Sequence, residues 1–141
     1  MENLNLADAF AKFGGKAANR LSSVSAIAAD GALILGCSAA RFAHPSRGVL
    51  RYEDKLSRDP EGSNEWKALG THLALARDGK LPVRMIVIAE KADATGKVKR
   101  DIHVRADLVG NVVEFDGDHF IVDFVRAQEP VVLVAKQAVR R

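Results

Sequence analysis

The chain has 141 residues, 48% of them hydrophobic and 28% charged, with a formal net charge of +3 and a sequence pI of about 9.2. These values describe one folded domain that can bury a core without staples, and they exclude general disorder. The single cysteine, Cys37, excludes an intramolecular disulfide and any multi-cysteine metal site within one chain.

Residues 5–13 place Leu6, Phe10 and Phe13 at helical spacing before Gly14 and Gly15. This predicts a short amphipathic helix, capped by Asn5 or Asn3, that must dock on the body of the domain. Residues 22–36 read as a hairpin: 23–27 alternates, Asp30-Gly31 is a type I′ turn signal, and 32–35 returns. Cys37 follows that apolar run and reads as a small buried hydrophobe. Residues 37–47 read as a loop, with Pro45, Ser46 and Gly48 as breakers, and 49–52 as a short strand.

The main helix is expected over 61–78. Asp59 suits its cap, Pro60 its first turn, and Gly79 the left-handed position that ends it. Trp66, Leu69, Leu73 and Ala76 form one stripe, with Lys67, Thr71 and Arg77 off it, and Gly70 marks close packing. Residues 83–89 are nearly continuously apolar, which predicts a central strand buried on both faces. The order strand, helix, strand across 49–89 permits a right-handed crossover and one parallel pair.

Thr95-Gly96 turns the chain, and 98–104 returns as a charged strand expected near an edge. Residues 111–115 and 119–124 flank Asp116-Gly117 as a second hairpin, with Val113, Phe115, Phe120, Val122 and Phe124 on one face. Pro130 precedes a last strand at 131–134, so 83–135 is read as C-terminal β-hairpins. The expected fold is α+β: a strongly bent mixed or antiparallel sheet, or a half-open small β-barrel, of about seven strands with two flanking helices. No apolar run approaches the ~20 residues a membrane helix needs. Residues 1–5 have no basic, apolar signal pattern, so a cytoplasmic location is the expectation.

Catalytic and cofactor signatures are missing from the sequence. Gly14-Gly15-Lys16 follows a helix where a phosphate loop follows a strand, and there is no Gly-x-Gly-x-x-Gly or Gly-x-Ser-x-Gly. His44, His72, His103 and His119 are too widely spaced for two ligands on one helical face. His72, beside Leu73, reads as a partly buried structural histidine, and His103 as exposed or phosphate-facing. No cofactor is expected.

Two constellations remain. Glu114, His119 and Asp123 fall opposite the phenylalanines of the second hairpin, with Asp116 and Asp118 at its tip. Carboxylates with an imidazole could hold Mg²⁺ or Mn²⁺ for phosphodiester hydrolysis, although the spacing matches no metal loop. The competing reading is a solvated face around an Asp-Gly turn.

The basic residues give the stronger signal. Arg41, Arg47, Arg51, Lys55 and Arg58 lie between 41 and 58 with His44, and Phe42 and Tyr52 are interleaved as stacking candidates. Lys97, Lys99, Arg100 and Arg105 surround His103, and Lys16 and Arg20 sit in the first loop. Should the 41–51 and 97–105 segments meet, they would make a cationic groove, with Arg41, Arg47, Arg51, Lys99, Arg100 and Arg105 on phosphates. Glu53, Asp54, Asp59 and Asp101 would offset part of that field. The functional expectation is therefore a small nucleic-acid-binding or DNA-metabolism accessory domain. The alternatives are a module that docks a protein partner or a second copy through a sheet edge, and a metal-dependent nuclease at Glu114, His119 and Asp123.

Overall fold

The computed structural model of the chain describes residues 5–15, 24–59, 61–128 and Leu133. Its elements are α1 (Leu6–Lys12), β1 (Ser25–Ile27), β2 (Leu33–Ser38), a 3-10 turn (Ala39–Arg41), β3 (Phe42–Ser46), β4 (Val49–Lys55), a second 3-10 turn (Leu56–Arg58), α2 (Asn64–Gly79), β5 (Val83–Ala92), β6 (Val98–Phe115) and β7 (His119–Arg126). The seven strands form one open mixed sheet in the order β1-β2-β5-β6-β7-β4-β3. The α+β class, the strand number and the two helices agree with the sequence. No helix among the described residues is long and apolar enough to cross a membrane.

Each face of the sheet carries one helix. The stripe of α2 buries Leu69, Leu73 and Ala76, with Trp66 at its margin, against Leu33, Leu35, Met85, Leu108, Phe120, Val122 and Phe124. On the other face α1 buries Leu6, Phe10 and Phe13 against Ile34, Ile86 and Ile102. β5 therefore sends Met85 to one core and Ile86 to the other, which is why its sequence is apolar without alternation. Asn5 caps α1 by accepting from the Asp8 N–H at 2.7 Å.

Several local expectations are corrected. Residues 42–46 are an edge strand, not a loop; Pro45 is tolerated there because an edge has one side without a ladder. The parallel pair is β2 with β5, not the 49–55 strand with β5, because β4 pairs instead with β7. Asp30 keeps a negative φ and only Gly31 is positive, so the first hairpin closes through a longer loop than a type I′ turn.

At the main helix, Asp59 accepts from the Ser63 N–H at 2.7 Å and so folds the approach, while Ser63 itself occupies the cap position. Lys80, not Gly79, takes the left-handed conformation (φ 54°, ψ 44°), because α2 runs through Gly79 before it ends. Pro60, Lys16, Arg20 and the strand expected at 131–134, apart from Leu133, lie outside the described residues.

The charged segment 98–104 belongs to an 18-residue strand in the middle of the sheet order, not to an edge strand. Among the described residues one side of 98–105 carries no ladder: 98–105 pairs with β5, whereas β7 pairs with 108–115. Val113 is the extra residue of a bulge between the pairs Val112–Val122 and Glu114–Ile121. It is half exposed for that reason and leaves the face shared by Phe120, Val122 and Phe124.

Candidate functional site

Along β4 the side chains alternate, so Tyr52 and Asp54 point into the α2 core while Arg51, Glu53 and Lys55 face outward. The Tyr52 ring packs between Phe42 and Phe120, at centroid distances of 5.2 and 6.2 Å. Its hydroxyl accepts from the Ser38 N–H at 3.1 Å and donates to Asp54 Oδ2 at 2.9 Å. Asp54, only 4% exposed, also accepts from the Lys55 N–H at 2.8 Å and from Arg58 Nε and Nη2, both at 2.8 Å. Arg41 Nε stands 3.8 Å from the same carboxylate. A charge this deep is tolerated because its lone pairs are met by fixed donors.

Arg58 in turn lies over the Trp66 ring, 4.9 Å from its centroid. Its hydrogen bond to Asp54 holds it protonated more firmly than an ordinary arginine. Burial raises the Tyr52 hydroxyl pKa, reinforced by Cys37 and Asp54, and burial likewise raises that of the Cys37 thiol. Both groups stay neutral near pH 7, so Cys37 is an inert core residue.

This polar cluster forms one wall of a cleft of about 550 Å³, within the range of small-ligand sites. The parallel strands β2 and β5 reach it with their carboxyl-side residues: Ser38, followed by Ala39 and Ala40 of the 3-10 turn, from one, and Ile88, Ala89 and Glu90 from the other. Val24 and Gly36 line it below, and Arg58 and Trp66 line it at the side. Clefts beyond the carboxyl ends of parallel strands are where open α/β sheets place ligands, and the single parallel pair here reproduces that arrangement locally.

The basic residues of the sequence are sorted by the fold. Arg51 forms a two-point pair with Asp123 (2.7 and 2.9 Å), and Arg105 does the same with Asp107 (2.9 and 2.9 Å). Neither is a free phosphate ligand, because each fork is already occupied. Tyr52 is 1% exposed and cannot stack on a base, and Phe42 is half-buried against it. Arg47 lies exposed at the β3–β4 turn, and Lys99 lies exposed on β6. The turn holding Arg41 packs against β5, and β5 pairs Glu90 with Arg100 and Lys91 with Lys99. Arg41 therefore adjoins the cleft beside Ala40, and Arg100 stands opposite its lining residue Glu90, whereas Lys99, opposite Lys91, is exposed on the next position of β6 and Arg51 and Arg105 lie away from it.

The acidic hairpin serves the architecture of the outer face. His119 Nε2 lies 2.5 Å from Glu53 Oε2 and its Nδ1 lies 3.4 Å from Glu114 Oε2, while Asp123 is held by Arg51. Asp118 receives the Ser57 N–H and hydroxyl at 2.7 and 3.0 Å, and Asp116 receives the N–H groups of Asp118 and His119. Among the described residues no group of three or more His, Cys, Asp or Glu is arranged to hold a metal ion. A nuclease centre at Glu114, His119 and Asp123 thus gains no geometric support, since the groups are spent on each other and on Arg51.

Of the cleft residues, Ser38 and Glu90 were not singled out in the sequence, while Arg58 was counted only within the 41–58 basic run and Trp66 only within the helix stripe. Asp54 and Arg58, four residues apart, were the available signal for an anchored guanidinium. Trp66, the lone tryptophan, was absorbed into the helix stripe. Comparison with family models, with curated proteins and with solved structures returns no match.

Proposed function

We propose that this domain binds single-stranded nucleic acid across the mouth of its curled sheet. The observation that carries the reading is the cleft between β2 and β5, walled by Arg58 over Trp66, with Arg41 next to its lining residue Ala40 and Lys99 exposed on the neighbouring strand β6. Bases stack on guanidinium planes and aromatic rings, and backbone phosphates are met by cations beside such a platform. Arg51 and Arg105 are tied to carboxylates, so the cationic stretch is short and suits a few nucleotides of a flexible strand.

The test is the anisotropy of a labelled single-stranded oligonucleotide titrated with the protein across a range of salt concentrations. Neutralising about two phosphates gives a slope of log K against log salt of about −1.4, and Arg41→Ala or Lys99→Ala each reduces it by about 0.7. No retention at low ionic strength, or a response flat in salt, removes the reading.

A further inference from the structure

We infer that the cleft is the seat of a single nucleobase whose edge presents N–H donors, a guanine before a uracil. This rests on the single-strand reading and specifies what that site selects. The ring would lie beside Arg58, whose guanidinium is immobilised from two directions. Asp54 binds its Nε and Nη2, and Trp66 stacks against it. Among the described residues its Nη1 has no partner, so a donor is left for a carbonyl of the base.

The other walls match a flat heteroaromatic ring. Gly36, Ala39, Ala40 and Ala89 keep the space open, and Val24 and Ile88 offer apolar contact. Among the described residues one acidic residue lines the cleft, Glu90, which is exposed and makes no ion pair with the others. A carboxylate accepts two parallel N–H bonds from the imino and amino groups of guanine. Uracil offers a single N3–H between two carbonyls, so only one of the two bonds forms and the second carboxylate oxygen faces a lone pair; a polar site rejects an analogue that leaves it unpaired.

Trp66 is the only tryptophan of the chain and stands in the wall, so its emission reports occupancy directly. The protein is titrated with GMP, guanosine, UMP and inorganic phosphate while that emission is followed. GMP and guanosine are expected to give a saturable change, UMP to bind about tenfold more weakly or worse, and phosphate to give none. Glu90→Gln, at an exposed position, should narrow the gap between GMP and UMP to below about threefold with an unchanged melting curve.

No saturable response to GMP, equal responses to GMP and UMP, or a preference untouched by Glu90→Gln overturns the inference. The two readings fail separately. Salt-dependent oligonucleotide binding without a GMP response leaves the single-strand reading and removes the base pocket. GMP binding without oligonucleotide retention leaves the pocket and removes the strand.

Discussion

The hydroxyl of Tyr52 on β4 stands 3.1 Å from the backbone nitrogen of Ser38 at the end of β2, although four ladders separate those strands in the sheet order. Only a strongly curled sheet brings them together. The contact ties the β4 side of the curl to the rim of the cleft, and α2 fills the space between. An open sheet thereby acquires some of the rigidity of a barrel without a closing ladder.

Replacing Tyr52 with Phe keeps the ring between Phe42 and Phe120 but removes both hydrogen bonds of the hydroxyl. The Ser38 N–H loses its acceptor and the buried Asp54 loses a donor. The expected cost is about 1–3 kcal/mol in urea denaturation, with an unchanged m-value because the exposed surface on unfolding is the same. A variant as stable as the parent would mean that the curl is held by the α2 core alone.

Asp54 and Arg58 form the next tie. Arg58→Ala leaves a carboxylate buried with only Tyr52, the Lys55 N–H and a distant Arg41 as compensation, and should cost about 3 kcal/mol. Asp54→Ala leaves an arginine that can turn to water from its one-third exposed position, so its cost should be smaller. The double variant should fall short of the sum of the singles, because once Asp54 is gone Arg58 no longer has a buried charge to satisfy. Strict additivity in that cycle would contradict the pairing.

Elements governed by local chemistry were legible from the residues. The α2 stripe, the apolar run of β5, and the turns around Gly31 and Gly117 all follow from spacing and composition. What was hidden depends on distant partners. Arg51 and Asp123 are 72 positions apart, so nothing near Arg51 announces that its fork is taken. Pro45 breaks a central strand but not an edge, and edge position is a property of the whole sheet. The bulge at Val113 shifts the face of the strand by one residue, which a strict two-residue period cannot anticipate. The cleft was invisible because its walls come from β2, β5 and α2, and the parallel pair that opens it joins strands far apart in sequence.

Gly110 pairs with Phe124 across the β6–β7 ladder, and the phenylalanine ring lies over it. A methyl group at Gly110 would sit 2.8 to 3.0 Å from three ring carbons of Phe124, which is itself fully buried in the α2 core. Gly110→Ala should therefore destabilise by about 1–3 kcal/mol, since a ring locked by its neighbours cannot give way. Gly96→Ala is strained for a different reason, a positive φ of 84° in open space, and should leave the near-ultraviolet signal of the core unchanged. Near-ultraviolet circular dichroism separates the two effects, and an unaltered spectrum in Gly110→Ala would rule out the clash.

Two histidines should give stability opposite dependences on pH. The His119 pKa is raised above its usual value of 6.5, first by the hydrogen bond to Glu53 and then, against some desolvation, by Glu114. Lys55 pairs with it in register, and Asp116 and Asp118 at the hairpin tip add to the surrounding charge. Folding favours the imidazolium, so the contribution is fully present below pH 6.5 and is lost as pH rises through the folded pKa. His72 is shifted the other way: burial lowers its pKa, and its Nδ1 meets the Ser25 hydroxyl at 2.7 Å. Folding there favours the neutral ring, so stability is lost as pH falls below about 6.5. Denaturation of the parent against His119→Gln should show a gap that is widest near pH 5 and closes toward pH 9, while His72→Gln should remove part of the loss seen on acidification. Histidine NMR titrations supply the direct check, with His119 expected above 6.5 and His72 below it. Coincident midpoints for the two would refute the carboxylate clamp on one and the desolvation of the other.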